Sequence, residues 1–281
     1  MATIKVSNMT KPLAFMRTTP TAKNRFHRLP LLWFALALGL LPAASLAQTP
    51  LTTVKPEAGS AEEPLAVEAQ WKNTPDLKLP NVLILGDSIS IGYTLQVRDR
   101  LKGVANVYRP MMTKAGRTLP GNCMDSATGL KKLKYWLGTN SWQVIHFNFG
   151  LHDLKYLDKD GKYVKASEGT QLASPEVYEK NLRELVARLK QTGAVLIWAS
   201  TTPVPANTLG RVEGDERIYN QLAEKVMREY NIQLDDLWGA VAPRFKELGI
   251  KPGNVHFNDE GYQILASAVA EAVKSALKQP K

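Results

Sequence analysis

Gly86-Asp87-Ser88 places a hydroxyl directly after the apolar run Asn81-Val-Leu-Ile-Leu85 and directly ahead of an amphipathic stretch. The run reads as a buried parallel strand and the stretch as a helix, so Ser88 falls at a strand-to-helix corner beside free backbone N–H groups. A serine hydroxyl is a poor nucleophile at neutral pH. It needs a base within hydrogen-bond reach, and that base needs a third group to fix its tautomer. Beyond residue 47 the histidines are His146, His152 and His256. His146 lies inside an apolar stretch, where a hydrogen-bonded core histidine is expected. His256 opens a polar turn ahead of the last helix and is the natural base.

Two distant segments complete the pattern. Phe147-Asn-Phe-Gly150-Leu-His152-Asp153 closes the apolar strand from Val144 to Phe149, and Val255-His256-Phe-Asn-Asp-Glu-Gly261 stands just before the C-terminal helix. With Gly86-Asp87-Ser88, these blocks resemble those of the SGNH/GDSL hydrolases, Ser-His esterases on a flavodoxin-like α/β fold. The resemblance runs from about residue 81 to residue 278 and keeps the family's chain order. It implies Ser88 as nucleophile and His256 as base, with no cofactor and no metal.

The chain departs from the family pattern in two places. The family's Asp three residues before the histidine is here Gly253, and the nearest polar residue is Asn254. An Asn can orient an imidazole through its amide oxygen but lacks the charge that stabilises imidazolium. A Ser-His dyad, a weak enzyme, or an inactive carbohydrate-binding protein on the same scaffold are therefore alternatives. Asp235, Asp236 and Asp259 are other acids in the region, each expected to serve a strand end or helix cap. The second departure is His152, which takes the place of the family's Asn in Gly-x-Asn-Asp. A neutral imidazole N–H can donate to a developing oxyanion if its other nitrogen is held. Backbone donors are expected from Ser88 and from the loop after the second strand. Two registers compete there: Gly116-Arg-Thr118, which matches the family's Gly-x-Thr, and Asn122-Cys123, just ahead of a helix. Cys123 N–H is the preferred donor.

The elements that must position these groups alternate. Apolar runs at 82–86, 104–108, 143–149, 194–199 and 231–234 have strand character, while 91–102, 126–137, 174–191, 214–230 and 259–278 have helical spacing. Ser174-Pro175-Glu176 reads as an N-cap with proline at the first helical position, and Gly138 and Gly193 mark helix ends. Such alternation implies a five-stranded parallel sheet in a three-layer α/β/α sandwich, with ligands at the carboxyl ends of the strands. Loops 151–173, with Tyr156, Tyr163 and a turn at Asp160-Gly161, and 201–213, with Thr201-Thr-Pro-Val-Pro205, are expected to wall a pocket over Ser88.

The 281 residues carry 36 Lys and Arg against 26 Asp and Glu, a net charge of +10. Six of those cations, from Lys5 to Arg28, precede residue 48, where no acid occurs; the remainder is 30 against 26, or +4. The excess belongs to an expected export signal, residues 1–47. Its apolar core, Leu31 to Leu41, is shorter than the ~20 residues that span a bilayer, and small residues follow it up to Ala47. The basic leader before that core is long, which makes Met16 an alternative start. Residues 48–80, rich in Pro, Thr, Ala and Glu, read as a flexible linker in which Trp71 can dock on the domain, and 81–281 as the hydrolase domain. Cys123 is the single cysteine, so no internal disulfide forms. His152, Asp153 and His256 lack metal-ligand spacing. Basic and acidic residues interleave along the helices, which argues against nucleic-acid binding. The expected product is a secreted or periplasmic monomer, without a stable membrane anchor, acting on a small-molecule or carbohydrate ester.

Overall fold

The computed structural model of the protein describes residues 68–279. The expected signal and residues 48–67 of the expected linker lie outside the described residues. Five strands form the central sheet: β1 (Asn81–Leu85), β2 (Asn106–Tyr108), β5 (Val144–Phe147), β8 (Val195–Ala199) and β9 (Gln233–Asp235). Their order is β2-β1-β5-β8-β9 and every pairing is parallel. This is the flavodoxin-like order, in which the chain winds outward both ways from a switch point beside β1. Strands covered on both faces need no alternation, and β5 is buried at all four positions.

The helices are α1 (Ser88–Arg100), α2 (Ser126–Leu137), α3 (Pro175–Lys190), α4 (Glu216–Glu229), α5 (Leu237–Val241), α6 (Phe245–Leu248) and α7 (Asp259–Leu277). Helices α1, α5 and α7 pack together in one layer, while α2, α3 and α4 pack in succession in the other. Side-chain oxygens of Asp87, Asp125, Ser174 and Asn258 cap α1, α2, α3 and α7. Such a cap satisfies one of the four N–H groups that a helix start leaves without partners. Helix α1 begins at Ser88, three residues earlier than hydrophobic spacing implies, because Asp87 accepts the Ile89 N–H at 2.9 Å.

Two antiparallel hairpins interrupt the alternation, β3 (Met111–Lys114) with β4 (Arg117–Pro120) and β6 (Tyr156–Leu157) with β7 (Thr170–Gln171). The domain also begins before Pro80, which corrects the expected linker boundary. Residues 68–71 form a helical turn, Trp71 is buried, and the Arg109 guanidinium lies 5.9 Å from its ring centre. Asn106 then accepts the Asp76 N–H at 2.9 Å and donates to the Asp76 carbonyl at 2.8 Å. The buried Trp71 ring and the Asn106 bonds together join this polar segment to the β2 edge.

One contact between α1 and α7 governs what the sheet edge presents. Gly92 lies four residues after Ser88, and a Cβ built there would stand 2.1 Å from the Tyr262 ring of α7. Tyr262 in turn packs edge-on against Phe257 at 5.8 Å. The two helices approach closely because residue 92 has no side chain, and their starts lie together for the same reason. Gly92→Ala should therefore destabilise the fold. Overpacking costs about 1–3 kcal/mol, partly offset by about 1 kcal/mol of helix propensity. In a denaturant cycle with Tyr262→Ala, the double variant should lose less than the sum of the single changes; strict additivity would rule out this contact as the cause.

Candidate active site

Ser88 Oγ lies 2.8 Å from His256 Nε2, although the two residues are 168 positions apart in sequence. The histidine is aimed by its neighbours. Val255 and Phe257 on either side are buried in the core, which turns the residue between them outward. The Ile250 N–H donates to the His256 carbonyl at 2.9 Å and the Asn258 N–H to the Leu248 carbonyl at 2.8 Å, so the loop is clamped across its width. Asn254 Oδ1 accepts the backbone N–H of His256 at 2.9 Å and lies 2.8 Å from its Nδ1. The backbone bond fixes which end of the amide faces the ring. Nδ1 therefore carries the proton and donates, leaving Nε2 as the acceptor for the Ser88 hydroxyl.

Gly253 explains why no carboxylate stands three residues before the histidine. Its φ is +68°, and a Cβ there would lie 2.8 Å from the Asn207 carbonyl oxygen. An Asp would meet both a left-handed backbone and a carbonyl oxygen inside contact distance. Asp235 is not available either: it lies 2.9 Å from Nε2 of the fully buried His146, in the core role expected of that histidine. Asp236 caps α5 through Gly239 N–H, and Asp259 is exposed in the first turn of α7.

His152 follows β5 and is buried to 8% exposure beside Ser88 in the same cleft. The Lys155 Nζ donates to its Nδ1 at 2.6 Å. An ammonium has donors only, so Nδ1 is the acceptor and the ring proton sits on Nε2. Burial pushes the His152 pKa down to about 4; Asp87 opposes this and Lys155 and Arg211 add to it. The imidazole is thus neutral, with a donor N–H. The neighbouring Asp153 carboxylate, buried, accepts the Ser126 N–H at 3.0 Å and its hydroxyl at 2.5 Å, tying the start of α2 to the end of β5. Burial raises the Asp153 pKa to about 7 against those hydrogen bonds.

Both backbone registers expected after the second strand need correction. The Cys123 N–H donates to the Gly86 carbonyl at 3.1 Å and is spent on holding two loops together. The Cys123 side chain is buried, and burial raises its thiol to about 11. Gly116, at φ +75°, is exposed in the β3–β4 turn and does not line the cleft. Asn122 does line it. The backbone N–H groups of Asn122 and Ser88 donate to no protein group among the described residues. Sequence reading passed over Asn122 because a flanking backbone amide carries no residue-type signal. Arg109 stabilises this edge: one terminal nitrogen donates to Thr94 Oγ1 at 2.8 Å and the other to the Gly121 carbonyl at 2.7 Å.

The cleft over Ser88 has a volume of about 370 Å³. Leu151, His152 and Tyr163 wall it from one expected loop, and Thr208, Leu209 and Arg211 from the other. Tyr156 lies instead in β6, and Thr201 is buried, its N–H donating to Asn220. Asp160-Gly161 forms the expected turn, with the Gly161 N–H on the Asp158 carbonyl. Among the described residues no group of three His, Cys, Asp or Glu could hold a metal ion, and no helix is long and apolar enough to cross a membrane. A nucleophile-capable hydroxyl, an imidazole acceptor with a fixed tautomer and unspent N–H donors on one rim are the parts that acyl transfer needs.

The model of the GDSL-like lipase/acylhydrolase family matches residues 84–264. The chain belongs to that family. No curated protein matches it. Among solved structures, this GDSL-family chain is similar to the acetyl xylan esterase AlAXEase, with 18% identity, 69% of this chain and 99% of that one covered, and a TM-score of 0.53. It is also similar to a lipase/acylhydrolase from Enterococcus faecalis, with 16% identity, 72% and 99% covered, and a TM-score of 0.55. A catalytic mutant of an acetylxylan esterase from Geobacillus stearothermophilus gives 16% identity, 72% and 97% covered, and 0.54. At these identities the structures share the fold.

Two outcomes follow from the hydrogen-bond geometry. Burial holds the His256 pKa below the ordinary 6.5, opposed by Asp87 and aided by Arg211. NMR titration of the ring protons should place it there, and Asn254→Asp should raise it by placing a negative charge on Nδ1–H. An unmoved pKa would mean that position 254 does not face the ring. Gly253→Asp, in contrast, should lower the denaturant midpoint and leave the His256 pKa unrepaired, since the loop cannot hold a side chain there without shifting.

Proposed function

We propose that the protein is an exported serine esterase that removes short O-acyl groups, on a carbohydrate as the preferred alcohol. The observation that carries this reading is the connected chain from Ser88 Oγ through His256 to Asn254, at 2.8 Å for each side-chain step. In this mechanism Ser88 Oγ attacks the ester carbonyl carbon as its proton passes to His256 Nε2. The tetrahedral oxyanion is met by the N–H groups of Ser88 and Asn122 and by His152 Nε2–H. His256 then protonates the leaving alkoxide, and a water, deprotonated by the same nitrogen, releases the acid and frees Ser88.

Asn254 acts here as an orienting group without charge. An amide in place of a triad carboxylate cost ~10⁴ in turnover in a serine protease, chiefly through the wrong tautomer. Asn254 Oδ1 against Nδ1 supports the productive tautomer, so in this reading what is given up is the electrostatic support of imidazolium. Export rests on the basic, apolar and small-residue order of residues 1–47, and its destination is the periplasm or the exterior. The carbohydrate alcohol is supported by the acetyl xylan esterases among the similar structures. The lack of a carboxylate behind His256 favours a second reading, a carbohydrate-binding protein without turnover.

Hydrolysis of 4-nitrophenyl acetate separates the two. The protein should turn the ester over, Ser88→Ala should reduce this to background, and a serine-directed phosphonate should label Ser88. Equal rates for both proteins and no labelling would leave the binding reading. Loss of one oxyanion donor costs about 3 kcal/mol, so His152→Ala should lower kcat by about 10²–10³ with little change in KM. Lys155→Met should act in the same direction and more weakly, by freeing the second tautomer; an unaffected kcat in both would remove His152 from the oxyanion site.

A further inference from the structure

The chemistry proposed at Ser88 makes no use of Arg211, which lines the same cleft as Ser88, His152 and His256. Its Nε donates to the Leu151 carbonyl at 2.8 Å, and its guanidinium carbon lies 5.8 Å from the centre of the Tyr163 ring. The fork is therefore held at its stem and on one face. Among the described residues, no carboxylate lies within ion-pair distance of it. Surface arginines such as Arg183 and Arg244 each rest on two glutamates, whereas Arg211 lines the cleft without such a partner.

The surroundings supply only part of the missing charge. Lys155 stands on the same wall, 4.8 Å from the other cation's partner ring, and donates to His152. The acidic side chain that lines the cleft is Asp87, at 3% exposure, with one oxygen already accepting the Ile89 N–H. Two cations thus share the Tyr163 wall against one capped carboxylate, and burial disfavours the charged form of both ring histidines. Burial disfavours the charge on Arg211, opposed in part by Tyr163 and Asp87, and an incoming anion would oppose it further.

We propose that Arg211 is a substrate-binding residue that recognises an oxyanionic group, a carboxylate or a phosphate, on an acylated sugar whose ester bond faces Ser88. With Nε on the Leu151 carbonyl and a side-chain hydrogen bond to Tyr163, the guanidinium still has terminal N–H donors left for such a group, and the planar fork suits either oxyanion. The substrate class is thereby narrowed from neutral to acidic sugar esters. The reaction rests on the esterase reading above, whereas the anion preference rests on the geometry of Arg211 alone.

Calorimetric titration of the protein with glucose, glucuronate and glucose 6-phosphate tests this without requiring turnover. At least one anion should bind about ten- to hundredfold more tightly than glucose, as a charge-assisted hydrogen-bond pair implies. The better of the two anions identifies the group. The advantage should shrink as salt is raised, disappear in Arg211→Gln, and survive in part in Arg211→Lys. Equal affinities, no detectable binding of either anion at millimolar concentrations, or a preference that persists in Arg211→Gln would each overturn the proposal. If Arg211→Gln fails to fold, the salt dependence and Arg211→Lys decide the matter. Anion preference without ester turnover would remove the esterase reading and leave this one standing.

Discussion

The close approach of α1 to α7 is the constraint on which the site depends. Ser88 is the first residue of α1 and His256 stands three residues ahead of α7, so the separation of these helix starts sets the Oγ to Nε2 distance. Gly92 and Tyr262 set that separation from one turn below the serine. The sheet contributes the other half of the arrangement. Ser88 follows β1 and His152 follows β5, the paired strands at the switch point of the fold, where the carboxyl ends of neighbouring strands diverge and leave a crevice.

Two imidazoles share the rim with opposite tautomers, and each is imposed by a different partner. An amide oxygen that already accepts a backbone N–H makes His256 a donor at Nδ1 and an acceptor at Nε2. An ammonium makes His152 an acceptor at Nδ1 and a donor at Nε2. Burial lowers the pKa of both rings, which keeps the first able to accept a proton and the second from holding one too many. Positive charge near the cleft is placed instead on the side chains of Lys155 and Arg211.

Much of the fold was legible because apolar runs and helical spacing are local. The five strands and the five long helices lie within a few residues of where the pattern places them, and Ser174-Pro175 caps its helix as read. The hairpins at 111–120 and 156–171 were not legible, since their short, half-exposed strands carry no apolar alternation. The role given to Cys123 N–H failed for a related reason. Whether a loop amide is free depends on which carbonyl arrives opposite it, here that of Gly86, from another part of the chain. Trp71 was visible as an apolar residue in a polar segment, but its pairing with Arg109 across the sheet edge was not.

By itself the sequence determined the class of fold, the strand-to-helix corner at Ser88, the small choice of histidines and the unusual Gly253, Asn254 and His152. These depend on residue type and on spacing within one element, which a linear pattern records. The tertiary structure alone decided that Asn254, and none of the three aspartates, faces His256; that Lys155 sets the tautomer of His152; and that Arg211 enters the cleft without a counter-ion. Hydrogen bonds and charge pairing require atoms within about 3–4 Å of one another. That proximity is produced by the packing of distant segments, and no local pattern encodes it.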